Sequence, residues 1–86
     1  MQIYFTENFK KKFNKLPGKI QDKFEKRLDM FIKTPSHPFL KVHPLRGNLI
    51  GYRAFSVTGD YRVVYKLIDK NSAKFISIGT HAQVYE

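Results

Sequence analysis

Apolar residues change their spacing along this chain. Residues 1–6 alternate weakly and predict a short first strand, with Thr6 or Asn8 placed to cap a helix after it. Phe9, Phe13 and Leu16 fall at i, i+4 and i+7, one face of a short helix. Lys10, Lys11, Lys12 and Lys15 occupy the rest of its surface. Pro17-Gly18 breaks this helix and opens another, because proline suits a first helical turn. Ile20, Phe24, Leu28, Phe31 and Ile32 mark the apolar face of that second helix, which runs to Lys33. Two helices with so short a break predict an antiparallel hairpin.

Thr34-Pro35-Ser36-His37-Pro38 ends the helical half, and His37 is expected to face solvent. Residues 39–50 predict an extended connection with a turn at Arg46-Gly47-Asn48. From Gly51 the period shortens to two. Tyr52–Val57, Tyr61–Ile68 and Ala73–Ile78 predict strands, joined by turns at Thr58-Gly59-Asp60 and Asp69-Lys70-Asn71-Ser72. Such short turns make an antiparallel meander. The whole predicts one α+β domain over residues 1–86, with the helices on one face of the sheet and the other face free. Alternation sorts the middle strand. Tyr61, Val63, Tyr65 and Leu67 share the face toward the helices, while Arg62, Val64 and Lys66 share the open one. Arg53 is expected to join them from the neighbouring strand.

Composition adds a core without covalent staples and a strongly basic surface. There is no cysteine, so disulfides and thiolate metal sites are excluded. Eight Phe and five Tyr supply large buried areas instead. Sixteen Lys/Arg against seven Asp/Glu give a net charge of +9, which attracts polyanions. The excess is spread along the chain: +5 over residues 1–33 and +4 over residues 34–86. No apolar run nears the roughly 20 residues needed to span a bilayer. The N-terminus lacks the basic start and cleavage site of a secretory signal. A cytoplasmic protein without membrane contact is expected, with nucleic acid or an acidic protein as its partner.

The candidate chemistry is metal-free, and no cofactor is expected. His37, His43 and His81 lie in separate segments without ligand spacing. Carboxylates are few, and Glu7, Asp22, Glu25 and Asp29 belong to the helical half, so a two-metal nuclease centre is not expected. His43, Arg53, Asp60, Arg62, His81 and Tyr85 remain. They suffice for RNA cleavage by attack of a 2′-hydroxyl on its own phosphate. Histidine moves protons near neutral pH, arginine grips phosphate through a two-pronged fork, and tyrosine stacks on a base or donates a proton. Each residue alone also has a plain structural role. His43 precedes a proline, Asp60 suits a tight turn, His81 suits a helix cap, and Tyr85 suits a core edge.

Three segments taken together resemble the RelE/ParE toxin superfamily, in its YafQ-like branch of ribosome-dependent mRNA interferases. They are His43-Pro44-Leu45-Arg46-Gly47, then Gly51-Tyr52-Arg53 with Asp60-Tyr61-Arg62-Val63-Val64-Tyr65-Lys66-Leu67, then Ile78-Gly79-Thr80-His81 with Val84-Tyr85. The likeness covers residues 43–85. It implies a β-α-α-β-β-β fold with a twisted antiparallel sheet and a helical hairpin on one side. It implies cleavage of mRNA on the ribosome, and a cognate antitoxin that covers the active site and through which the complex binds operator DNA. His43 matches a proton-transfer position, Asp60 an aspartate of the branch, Arg62 the phosphate-steadying arginine, His81 the C-terminal catalytic histidine, and Tyr85 the terminal aromatic. Arg53, Lys66, Arg46, Lys41, Lys10 and Lys11 are expected to bind RNA. One departure matters: the YafQ-like pattern has a second histidine where Ser56 stands here, and serine is no base near neutral pH. Two rival functions remain beside the nuclease. One is a ParE-like binder of DNA gyrase without catalysis, which the presence of His43, Arg62 and His81 argues against. The other is an inactive remnant that still binds an antitoxin.

Overall fold

The computed structural model describes residues 1–85. Strand β1 (Gln2–Phe5) leads directly into helix α1 (Glu7–Asn14), and α2 (Gly18–Lys33) comes next. Thr6 makes the junction between β1 and α1. Its Oγ1 accepts the Phe9 N–H at 3.1 Å and lies 3.1 Å from the Phe75 carbonyl oxygen. The helices meet through Phe13 and Phe24, whose ring centroids are 5.2 Å apart, and through Gln21, which donates to the Phe13 carbonyl at 2.9 Å.

Strands β2 (His43–Pro44), β3 (Arg53–Ser56), β4 (Tyr61–Asp69) and β5 (Ser72–Thr80) complete a five-stranded sheet in the order β1-β5-β4-β3-β2. A four-residue helix, α3 (His81–Val84), ends the described chain. The α+β class and the meander are as expected, but the sheet is mixed rather than wholly antiparallel. β1 pairs with β5 in parallel, from Gln2 beside Ser72 to Phe5 beside Phe75. The reason lies at Thr6. It must reach Phe75 at the end of β1 so that α1 can start against β5, and that fixes the direction of β1.

The expected extended stretch over residues 39–50 is more structured than its sequence suggests. A 3-10 turn at Pro38–Leu40 buries Leu40, β2 pairs with β3, and a second 3-10 turn stands at Gly47–Leu49. His37 is half-buried, not solvent-facing. Its Nδ1 accepts the Phe39 N–H at 3.1 Å, and its ring meets Phe39 edge-on. The imidazole replaces the missing helical partner of that amide.

The core is aromatic and centres on Phe75. Six rings surround it, those of Phe5, Phe9, Phe24, Phe31, Phe55 and Tyr65, with centroids 5.5 to 6.1 Å away. Edge-on and tilted contacts dominate, as the ring quadrupole favours. Phe75 and Ile78 are both buried on the helix side although three residues apart. Strict alternation forbids this. A bulge permits it: Val64 pairs with Ser77 and Tyr65 with Phe75, leaving Ile76 extra. The Ile76 carbonyl is not wasted, since Asn8 Nδ2 donates to it at 2.9 Å.

Candidate active site

The face of the sheet away from α2 carries small residues at its centre. Register places His43, Ala54, Val64 and Ser77 in one cross-strand row, and Ser56, Arg62 and Gly79 in the next. Ala54, Ser56, Ser77 and Gly79 are all buried. Short side chains lower this floor, and longer polar groups stand at its margins.

Helix α3 closes one end. Four residues make a poor helix alone, so each end is tied down. Thr80 Oγ1 accepts the Gln83 N–H at 3.4 Å, and Gln83 Oε1 accepts the Thr80 N–H at 2.9 Å. This reciprocal capping box is joined by the His81 N–H, which donates to the Asp60 carbonyl at 3.1 Å. Val84 is buried beneath. These anchors fix His81 and Tyr85, whose rings meet edge-on at 4.5 Å.

Tyr85 ties the group together. Its hydroxyl lies 3.4 Å from His43 Nε2, a long hydrogen bond between residues 42 positions apart. Burial raises its pKa above the ordinary phenol value of 10.0, and the nearby Arg62 charge opposes that rise. The phenol therefore stays protonated at neutral pH. Arg62 itself folds toward the β3–β4 turn. Its Nη1 donates to the Thr58, Gly59 and Tyr61 carbonyls at 2.9, 3.0 and 3.2 Å. Those bonds use one nitrogen, so the other edge of the guanidinium keeps its donors for a ligand. Asp60 is exposed, and its backbone carbonyl accepts the His81 N–H.

The surrounding cations divide. Arg46 lines a cleft of about 340 Å³ with His43 and Tyr85. Lys66 stands on the open face with its ammonium 5.5 Å from the centre of the Tyr52 ring, a cation–π contact. Arg53 does not join Arg62. Register sets it opposite Tyr65, on the helix side, where it opposes the burial that raises the Tyr65 pKa. The expected grouping fails because Tyr52, not Arg53, shares its face with Ala54 and Ser56. Lys41 is exposed, and its carbonyl rather than its ammonium meets His43, at 3.1 Å from Nδ1. Lys10 pairs with Glu7 at 3.4 Å and lines a cleft with Phe5 and Phe9. Lys11 is exposed on α1. Sequence reasoning missed Lys12, whose Nζ donates to Ser77 Oγ at 3.2 Å, at the edge of the open floor. Only a tertiary contact reveals it, because helical spacing alone makes Lys10, Lys11 and Lys12 equivalent.

Helices on one face of a mixed sheet, with a His/Tyr/Arg group opposite, make a small α+β domain with one open, basic face. The fold is that of YafQ from Escherichia coli BL21(DE3), whose crystal structure aligns with a TM-score of 0.82 at 25% identity over 99% of this chain and 98% of that one. In the crystal structure of the E. coli DinJ–YafQ complex the corresponding values are 0.78, 29%, 99% and 98%. The mRNA interferase toxin YafQ of E. coli strain K12 is 44% identical over 45 residues, 52% of this chain and 48% of that protein. That sequence match spans about half of the curated relative. The family model for the bacterial toxin of type II toxin–antitoxin systems, YafQ, matches residues 1–86. The chain belongs to the YafQ family of toxins.

Proposed function

We propose that this protein is an endoribonuclease that cuts mRNA on the ribosome. The 2′-hydroxyl of one nucleotide attacks its own phosphate. His43 and His81 carry the two protons, Arg62 holds the phosphate, and Tyr85 completes the pocket. Asp60 keeps α3 in place, while Arg46, Lys66 and Lys12 lie along the path of the RNA backbone. The observation that carries this assignment is the Tyr85 contact, which links His43 from β2 and His81 from α3 beside Arg62.

The mRNA interferase activity of E. coli YafQ, and its complex with DinJ, support a cytoplasmic toxin held in check by a cognate antitoxin. The partners are then mRNA, the ribosome and that antitoxin, which carries the complex to operator DNA. Expression of the parent, His81→Ala and Arg62→Ala, with primer extension on a translated message, tests this. The parent should arrest growth and leave discrete cuts. Each variant should lose about 10²–10⁴ in rate. Undiminished cutting by both variants would refute the site.

A further inference from the structure

His43 is held at both ring nitrogens. Nδ1 lies 3.1 Å from the Lys41 carbonyl oxygen, and Nε2 lies 3.4 Å from the Tyr85 hydroxyl. A carbonyl oxygen only accepts, so Nδ1 must carry the hydrogen. In the neutral ring Nε2 is then a bare lone pair, and the phenol must donate to it. The backbone that sets this tautomer is unusual. Lys41 has φ of 50°, the sole positive φ outside glycine among the described residues. Side chains rarely adopt that conformation, and it falls on the residue whose carbonyl meets the imidazole. The tautomer of a histidine is set by what its other nitrogen bonds, and here that partner is fixed main chain.

We propose that Tyr85 and His43 form a proton relay, in which the Tyr85 hydroxyl takes the substrate 2′ proton while passing its own to His43 Nε2. The inference rests on the nuclease assignment above and gives it a direction. The 2′ O–H bond breaks, and its electron pair forms the new bond from O2′ to phosphorus. The proton passes to Tyr85 Oη, and the Tyr85 proton to Nε2, leaving His43 as an imidazolium donating to Lys41 and a phenol restored. The P–O5′ bond breaks, and the departing oxygen takes a proton from the His81 imidazolium. The products are a 2′,3′-cyclic phosphate and a 5′-hydroxyl. Arg62 steadies the charge on phosphorus. Burial keeps the phenol protonated, so Tyr85 serves as a conduit and not as a standing phenolate base. The relay also explains how Nε2 works as a base while its lone pair is occupied.

A ring that only stacks on a base needs no hydroxyl, whereas a relay does. Single-turnover cleavage of a ribosome-bound message should be measured for the parent, Tyr85→Phe, His43→Gln and the double variant, with melting curves as a check on folding. Tyr85→Phe should lower the rate ~10²-fold without loss of ribosome binding. The double variant should cut no more slowly than His43→Gln, because two members of one relay fail together. A Tyr85→Phe rate within about twofold of the parent, or losses that multiply in the double variant, would overturn the relay. Primer extension should give the same cut sites throughout. A parent that leaves the message intact defeats the nuclease assignment, and the relay with it. A cutting parent with a fast Tyr85→Phe defeats the relay alone.

Discussion

Replacing Gly79 by alanine should separate the stability of this fold from its chemistry. Gly79 pairs with Arg62 across the sheet and lies beneath α3. Its backbone is not in the left-handed region, so alanine meets no torsional strain there. The new Cβ would instead fall 2.7 Å from Gln83 Oε1, 3.2 Å from Gln83 Cβ and 3.5 Å from Val84 Cγ1. Something must move, and the amide end of Gln83 moves most cheaply. It leaves by giving up the Thr80 N–H, which it now holds at 2.9 Å. Half of the capping box is lost, worth about 0.5–2 kcal/mol. For a domain of this size that lowers Tm by roughly 4–8 °C per kcal/mol. The fold should survive. Activity should suffer more, because α3 carries His81 and leads into Tyr85, and a displacement near 1 Å costs about 10²-fold in rate. Thermal melting by circular dichroism and primer-extension cutting measure the two effects. Gln83→Ala supplies the control, removing the same cap without a clash. Combining it with Gly79→Ala should restore little and lose little, since the 2.7 Å clash with Oε1 is gone and only the Cβ at 3.2 Å and Val84 Cγ1 at 3.5 Å are left to give by a few tenths of an ångström. Parent-like melting and cutting by Gly79→Ala would show that the packing under α3 does not position the site.

Arg62→Lys should keep the charge yet cut mRNA ~10²-fold more slowly, since one ammonium cannot span the Thr58, Gly59 and Tyr61 carbonyls and also fork onto a phosphate; binding and cleavage assays compared side by side would reveal the split. Alkaline stability should track Tyr65. Burial raises its folded pKa above 10.0, chiefly against the opposing Arg53 charge, so the unfolded chain ionises first as pH rises. The contribution is therefore complete below pH 10.0 and is lost as pH climbs through the folded value. Urea midpoints taken on both sides of that pH should fall for the parent and fall less for Tyr65→Phe.

Much of the fold is legible in the sequence because its cause is local. Helix faces track Phe9/Phe13/Leu16 and Phe24/Leu28/Phe31, and the meander tracks its short turns. The features that escape are non-local. The parallel pairing of β1 depends on Thr6 meeting Phe75, 69 residues away, which no window of sequence contains. The Ile76 bulge resets alternation in β5 and cannot be inferred from a uniform apolar run. The site divides the same way. His43, Arg62, His81 and Tyr85 are picked out by residue type and by resemblance. Arg53 is misplaced because a one-residue register choice sends a side chain through the sheet. Lys12 hides among identical neighbours, and Lys41 draws attention for its ammonium when its carbonyl makes the contact.

The charge distribution is a consequence of the two-sided sheet. The chain carries a net +9, yet among the described residues one ion pair forms, the exposed Lys10–Glu7 contact. Such surface pairs contribute little, and unneutralised like charge strains a compact state. The fold tolerates this because β4 keeps the two tasks apart: Val63 and Tyr65 are buried with the aromatic core, while Arg62 and Lys66 project from the other side. Stability then rests on rings packed around Phe75, while Arg62 and Lys66 on the open side make no ion pair among the described residues. Any macromolecule covering the open face must therefore bring compensating negative charge. Because it binds the folded chain and not the unfolded one, it also stabilises the fold through mass action. A polyribonucleotide and an acidic protein segment would compete for that face on the same terms. Occupancy by one is therefore exclusion of the other.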